Sequence, residues 1–115
     1  MEKGPDYIVE ITPEAEIYYL QLLDYLYRTH SKDSADKKAD KILDMAMSLD
    51  HNPYRGRIDE KLSFLGKDHR FLIYQYTSRK SIKIIYFIDE QAKKVFVTDF
   101  FGSEMDEKKI PDRNK

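Results

Sequence analysis

The residues of this chain best suited to chemistry on a charged substrate crowd into one stretch. Arg55, Arg57, Lys61, Lys67, Arg70, Arg79, Lys80 and Lys83 stand there, with His69 beside Arg70 and the aromatic pair Tyr74 and Tyr76 following. Such a set could handle a phosphodiester. His69 would give or take a proton, Lys67, Arg70, Arg79 and Lys83 would face developing negative charge, and the tyrosines would stack on bases. The competing reading is plain. His69 lies at a strand edge next to acidic Asp68, the setting of an exposed loop histidine without a role, and charged loops between strands are ordinary.

The charge arithmetic sharpens this. The 115 residues hold 20 Lys and Arg against 21 Asp and Glu, a formal net charge of -1, which excludes a uniformly basic nucleic-acid coat. Residues 1–54 carry 6 basic and 11 acidic side chains, residues 55–83 carry 8 and 3, and residues 84–115 carry 6 and 7. The chain is therefore dipolar. Its basic middle suits nucleic acid or simple solvation.

Other chemistries find no support. There is no Cys, which removes disulfides, thiol catalysis and cysteine-ligated metal. His30, His51 and His69 are too scattered to predict a metal, the glycines stand singly, and no spaced carboxylate pair can be placed. Action without a cofactor or a small-molecule substrate is expected. Met1 to Asp6 has no apolar signal core, and no apolar run approaches the ~18 residues that span a bilayer, so a cytoplasmic protein without membrane contact is expected.

The elements that must position these residues follow from the hydrophobic pattern. Tyr7 to Ile11 is a short β-prone run. Thr12-Pro13-Glu14-Ala15-Glu16 then reads as a helix start, with a capping hydroxyl, a proline at the first helical position and acids near the positive end of the dipole. Ala15, Tyr18, Tyr19, Leu22, Leu23 and Leu26 recur at helical spacing over about 13–30. A polar turn at 30–34 leads to a second helical pattern through Ala35, Ala39, Ile42, Leu43, Ala46 and Leu49, closed by Asn52-Pro53. After an irregular stretch to Asp68 come three β-rich runs, Arg70 to Thr77, Ile82 to Ile88 and Val95 to Phe101, joined by short polar links. The expected fold is α+β: an N-terminal strand and an antiparallel helical hairpin packed on one face of a four-stranded, mainly antiparallel sheet. Residues 1–104 form the single domain and 105–115 a charged C-terminal tail.

Alternation divides the second strand into Phe71, Ile73, Gln75 and Thr77 against Arg70, Leu72, Tyr74 and Tyr76, and the third into Ile84, Tyr86 and Ile88 against Lys83, Ile85 and Phe87. The sets carrying Arg70 and Lys83 hold the charges and are expected together on the face away from the helices. With Arg79 and Lys80 of the connecting turn, Arg70, Tyr74, Tyr76, Lys83, Ile85 and Phe87 would make a nucleic-acid or partner surface, unless the tail folds over it.

The ordered set of motifs resembles the RelE/ParE superfamily of toxin subunits from bacterial type II toxin–antitoxin modules. The resemblance rests on Tyr7 to Ile11 with Thr12-Pro13-Glu14-Ala15, on Leu49 with Asn52-Pro53, on Lys61-Leu62 with Gly66, and on Lys83-Ile84-Ile85-Tyr86 with Ile88-Asp89-Glu90. It covers about residues 7–104 and implies a cognate antitoxin as partner and a macromolecular target, with plasmid stabilization and growth inhibition as the biological outcome. RelE-like members cleave messenger RNA on the ribosome, whereas ParE-like members inhibit DNA gyrase. The RelE type uses a lysine pair on the second strand, an arginine opening the third, and an arginine and a tyrosine after the fourth. Here the lysine-pair positions fall on Tyr74 and Tyr76, or on Leu72 and Tyr74, and the third-strand position holds Lys83. After the fourth strand stands Phe100-Phe101-Gly102-Ser103-Glu104-Met105-Asp106, with no tyrosine beyond Tyr86. The RelE cationic set is largely absent. If cleavage persists, the candidate catalytic residues are Lys83, Arg70 and His69; otherwise the chain is a non-cleaving toxin or an inactive toxin-like module that binds an antitoxin.

Overall fold

The computed structural model describes residues 6–115, so the N-terminal stretch through residue 5 lies outside it. A strand β1 (Ile8–Ile11) leads directly into helix α1 (Pro13–Thr29), and α2 (Lys32–Met47) follows after two residues. The expected Thr12 cap sets the start of α1, and Ser31, read only as part of the turn, caps α2. The Thr12 side chain accepts from the Ala15 N–H at 3.2 Å, and Ser31 accepts from Ser34 N–H at 3.3 Å. After α2 the chain tightens into a 3₁₀ turn at Ser48–Asp50. Asn52 then takes a left-handed conformation (φ 46°), and Pro53 prevents the helix from resuming.

Helix α1 and helix α2 bury Leu22, Leu26, Ala35, Ile42 and Ala46 against one face of the sheet, where Ile82, Ile84, Tyr86, Val95, Val97 and Phe100 meet them. The alanines of α2, at i, i+4 and i+11, lie on its buried face and bring that helix close to its neighbours. No helix of the described residues is long and apolar enough to cross a membrane.

The fold is α+β, with two helices packed on a mixed sheet of five strands, one more than expected. The strands β2 (Arg57–Ile58), β3 (Arg70–Gln75), β4 (Ser81–Asp89) and β5 (Lys94–Gly102) join β1 in the order β1-β5-β4-β3-β2. The added strand β2 is only two residues long and arises in the stretch read as irregular. It pairs antiparallel with Phe71 and Arg70, and the Asp59 N–H extends the pairing to the His69 carbonyl at 2.7 Å. At the opposite edge β1 runs parallel to β5, Ile8 facing Lys94 and Ile11 facing Val97. A register shift in the β4–β5 ladder beside Ile85 and Tyr86 leaves Thr98 as the extra residue of a bulge.

The tail is not a loose extension. A 3₁₀ turn at Glu60–Leu65 and the short helix α3 (Ile110–Arg113) close over the second face of the sheet. There Leu62, Ile85, Phe101 and Ile110 form a separate buried cluster, with Leu65, Phe71 and Met105 packed against it. The domain thus has an apolar layer on each face of its sheet.

Candidate functional site

The expected surface does not assemble, because the register of β3 on β4 divides its members. Ile73 faces Lys83, Leu72 faces Ile84 and Arg70 faces Tyr86. Paired residues share a face, so Arg70, Tyr74 and Tyr76 lie on the helix side, whereas Lys83, Ile85 and Phe87 lie with Phe71 on the other. Charge was a poor guide to the outside.

On the helix side, Arg70 is occupied by backbone. Its Nη1 donates to the carbonyls of Gly56 (2.8 Å) and Tyr54 (3.2 Å), and the guanidinium lies over the Tyr54 ring, 5.2 Å from its centre. Beneath it, the buried Tyr86 hydroxyl donates to the Pro53 carbonyl at 2.5 Å and accepts from the Gly56 N–H at 3.1 Å. A Cβ on Gly56 would stand 2.2 Å from that hydroxyl, so only glycine permits the contact. Arg70 and Tyr86 therefore fasten the loop that follows α2. The Tyr86 hydroxyl is fully used in this way, and Arg70 commits its Nη1 to it.

On the second face, Lys83 is neutralised. Its Nζ lies 3.7 Å from Asp59 Oδ2 and 3.7 Å from Glu107 Oε1, and 4.3 Å from the centre of the Phe71 ring. Glu107 is shared with Lys61 at 2.6 Å, which holds the Glu107 carboxyl below the ordinary range, with Lys83 adding to the effect. Asp59 is itself buried. A largely covered lysine held between a buried acid and an exposed one is balanced against them and is not poised for phosphate.

His69 is only 1% exposed, which overturns its reading as a loop histidine. It packs edge-on against Phe87, ring centres 5.1 Å apart, and its Nδ1 has no hydrogen-bond partner. Burial, reinforced by the charge of Lys67, pushes its pKa down, so the ring is neutral at pH 7. Lys67 sits above the other side of the cluster, 4.8 Å from the Phe87 ring centre. Ile85 is fully buried beneath the tail. Arg79 and Lys80 remain at the β3–β4 turn, their N–H groups both donating to the Thr77 hydroxyl, remote in role from Lys83.

Two groupings escaped the sequence reading. The first is the anchor of the tail. Arg113 forks onto the fully buried Asp99, with Nη2 2.5 Å from Oδ1 and Nε 3.0 Å from Oδ2, and stacks 3.9 Å from the centre of the Tyr18 ring. Asn114 donates to Asp99 Oδ2 at 2.9 Å and accepts from the Thr98 hydroxyl at 2.5 Å. An acid inside the apolar run from Val95 to Phe101 was the available signal, since a buried carboxylate demands a cation. The second is a lysine face on α2 that meets Tyr74 and Tyr76. Its lysines, at i, i+1 and i+4, were present but concealed by interleaved acids.

The three residues considered for catalysis thus play structural parts. Arg70 holds a loop, Lys83 completes a charge network, and His69 fills the second layer. Their arrangement provides no set of free cations around a proton-transfer group. Comparison of the chain with protein-family models, characterised proteins and solved structures finds no match.

Proposed function

We propose that this chain is a toxin subunit of RelE/ParE type, paired with a cognate antitoxin and acting by contact with a macromolecular target in translation or DNA topology. The observation that carries the reading is the topology: a strand, a helical hairpin and a three-stranded meander, with the first strand returning parallel to the last. This agrees with the ordered motifs that suggested the family. RelE-type cleavage is disfavoured, because Arg70, Lys83 and His69 are engaged or buried and the positions of the lysine pair hold Tyr74 and Tyr76. Both sheet faces are covered, so the antitoxin is expected on the outside of the hairpin, where Ile17 and Leu20 are exposed.

Expression with and without the adjacent small open reading frame tests the proposal. Growth arrest with the gene alone, relieved by co-expression, is the expected result; equal growth in both cases overturns an active toxin and leaves an inert binding module. Primer-extension mapping after induction is expected to show no codon-linked cuts. Cuts abolished by Lys83→Ala or Arg70→Ala would instead restore the ribonuclease reading.

A further inference from the structure

Helix α2 turns Ser34, Lys37, Lys38 and Lys41 to one side, at i, i+3, i+4 and i+7. With Tyr74 and Tyr76 of β3 they line a groove of about 390 Å³. The acids of the same helix are interspersed with these lysines, but Asp36 bonds Tyr27 and Lys32, and the charges of Asp40 and Asp44 reach Tyr19 of α1; Asp33, four residues before Lys37, borders the groove-facing set. Among the described residues, Lys37, Lys38 and Lys41 form no ion pair, and Lys38 has only the Ser34 hydroxyl, at 2.7 Å. Lys32, Lys61 and Lys94 are answered by Asp36, Glu107 and Glu10, whereas these three stand together without an acid in contact. Three uncompensated ammonium groups on one turn of helix repel one another and favour an anion between them.

The other wall adds a second kind of recognition. Tyr74 and Tyr76 are half-buried and pack on the core; the Tyr76 hydroxyl is shielded from solvent, so it is the ring surfaces that line the groove. Strand β2 covers only Arg70 and Phe71, so β3 from Leu72 to Gln75 has no neighbouring strand on that edge and the groove is open along its length. Cations on one wall and aromatic rings on the other match a sugar–phosphate backbone carrying unpaired bases. An acidic peptide would satisfy the lysines but leave the rings without a flat partner. Glu104, whose charge reaches the Tyr76 hydroxyl, repels phosphate from one end.

We infer that the groove between α2 and β3 binds a short single strand of nucleic acid, its phosphates on Lys37, Lys38 and Lys41 and a base against Tyr74. Lysines are point charges without a bidentate fork, so the site is tolerant of sequence. The inference is independent of the toxin reading, since it requires neither a cellular target nor an antitoxin.

Fluorescence anisotropy on the full chain tests it, with labelled oligouridylate and oligothymidylate of about ten nucleotides and a polyglutamate peptide of equal charge. Binding of either strand supports the site, and a preference for RNA shows that the 2′-hydroxyl is read. Three phosphate contacts give a log–log salt slope of about −2, so affinity should fall about twenty-fold between about 50 and 200 mM salt. The exposed pair Lys37→Ala and Lys41→Ala should bring the slope to about −0.7 without altering the circular dichroism spectrum. Tyr74→Ala should weaken binding about ten-fold, with Tyr74→Phe restoring it. No binding at low salt, lysine variants that bind like the parent, or a polyglutamate that binds as tightly as the oligonucleotides would each overturn the inference.

Discussion

Replacing Arg113 with Ala removes the cation that answers Asp99 and leaves a carboxylate of zero exposure inside the second apolar layer. Breaking one side of a buried pair costs about 3–5 kcal/mol, because the remaining charge stays desolvated. Asn114 softens the loss only partly, since it supplies one hydrogen bond to Oδ2 and no charge. At about 4 °C per kcal/mol for a domain of this size, the midpoint of thermal unfolding should fall by roughly 10–20 °C. Replacing both partners, Asp99→Leu with Arg113→Met, should recover most or all of that loss, because no charge is then buried. Asn114 would keep the Ile110 carbonyl and the Thr98 hydroxyl. Urea melts of the parent, single and double variants measure the coupling, and amide exchange at Ile85 and Phe101 reports whether α3 has lifted from the sheet. An Arg113→Ala cost below about 1 kcal/mol, or a double variant no more stable than the single, would refute the account of the tail as a charge-anchored cover.

Gly56→Ala should destabilise the fold by about 1–3 kcal/mol in urea melts, because the new methyl meets the Tyr86 hydroxyl and lies 2.9 Å from the Phe71 carbonyl. Tyr86→Phe should cost about 1–3 kcal/mol by leaving the Gly56 N–H without its acceptor, and the two changes together should cost less than their sum. His69 has a lowered pKa in the fold, so the unfolded chain takes up the proton first. Its contribution is intact above the unfolded value of about 6.5 and is lost as pH falls below it, and thermal melts of His69→Phe should show a flatter profile between about pH 6.5 and 5 than the parent.

The helices were readable because capping is local: Thr12 and Pro13 open α1, and the Ser31 side chain that opens α2 lies three residues from the Ser34 N–H that donates to it. Strand β2 was not, since two exposed residues show no alternation, and Arg57 and Ile58 owe their conformation to Phe71 and Arg70 across the sheet. The facing of β3 and β4 failed for a different reason. Which residue opposes Lys83 depends on the geometry of the turn through Ser78 to Lys80, and a charged side chain can be interior when acids such as Asp59 and Glu107 are brought to it from distant segments. Pooling charge along the chain also hid the lysine face of α2. Four aspartates and four lysines are interspersed in that helix, and only its wrapping brings Ser34, Lys37, Lys38 and Lys41 together beside Tyr74 and Tyr76.

The parallel pairing of β1 with β5 joins Ile8 to Lys94 across almost the whole chain. As the chain leaves the ribosome, the helical hairpin emerges with its apolar stripe long before β4 and β5 exist to cover it, and β1 waits without a partner for the last strand. Such order makes folding a late, largely single event governed by distant contacts, and slow compared with a helical bundle. Until Phe100 and Val97 arrive, Leu22, Leu26 and Ile42 are available to any apolar surface nearby, so a chaperone has its best opportunity during synthesis.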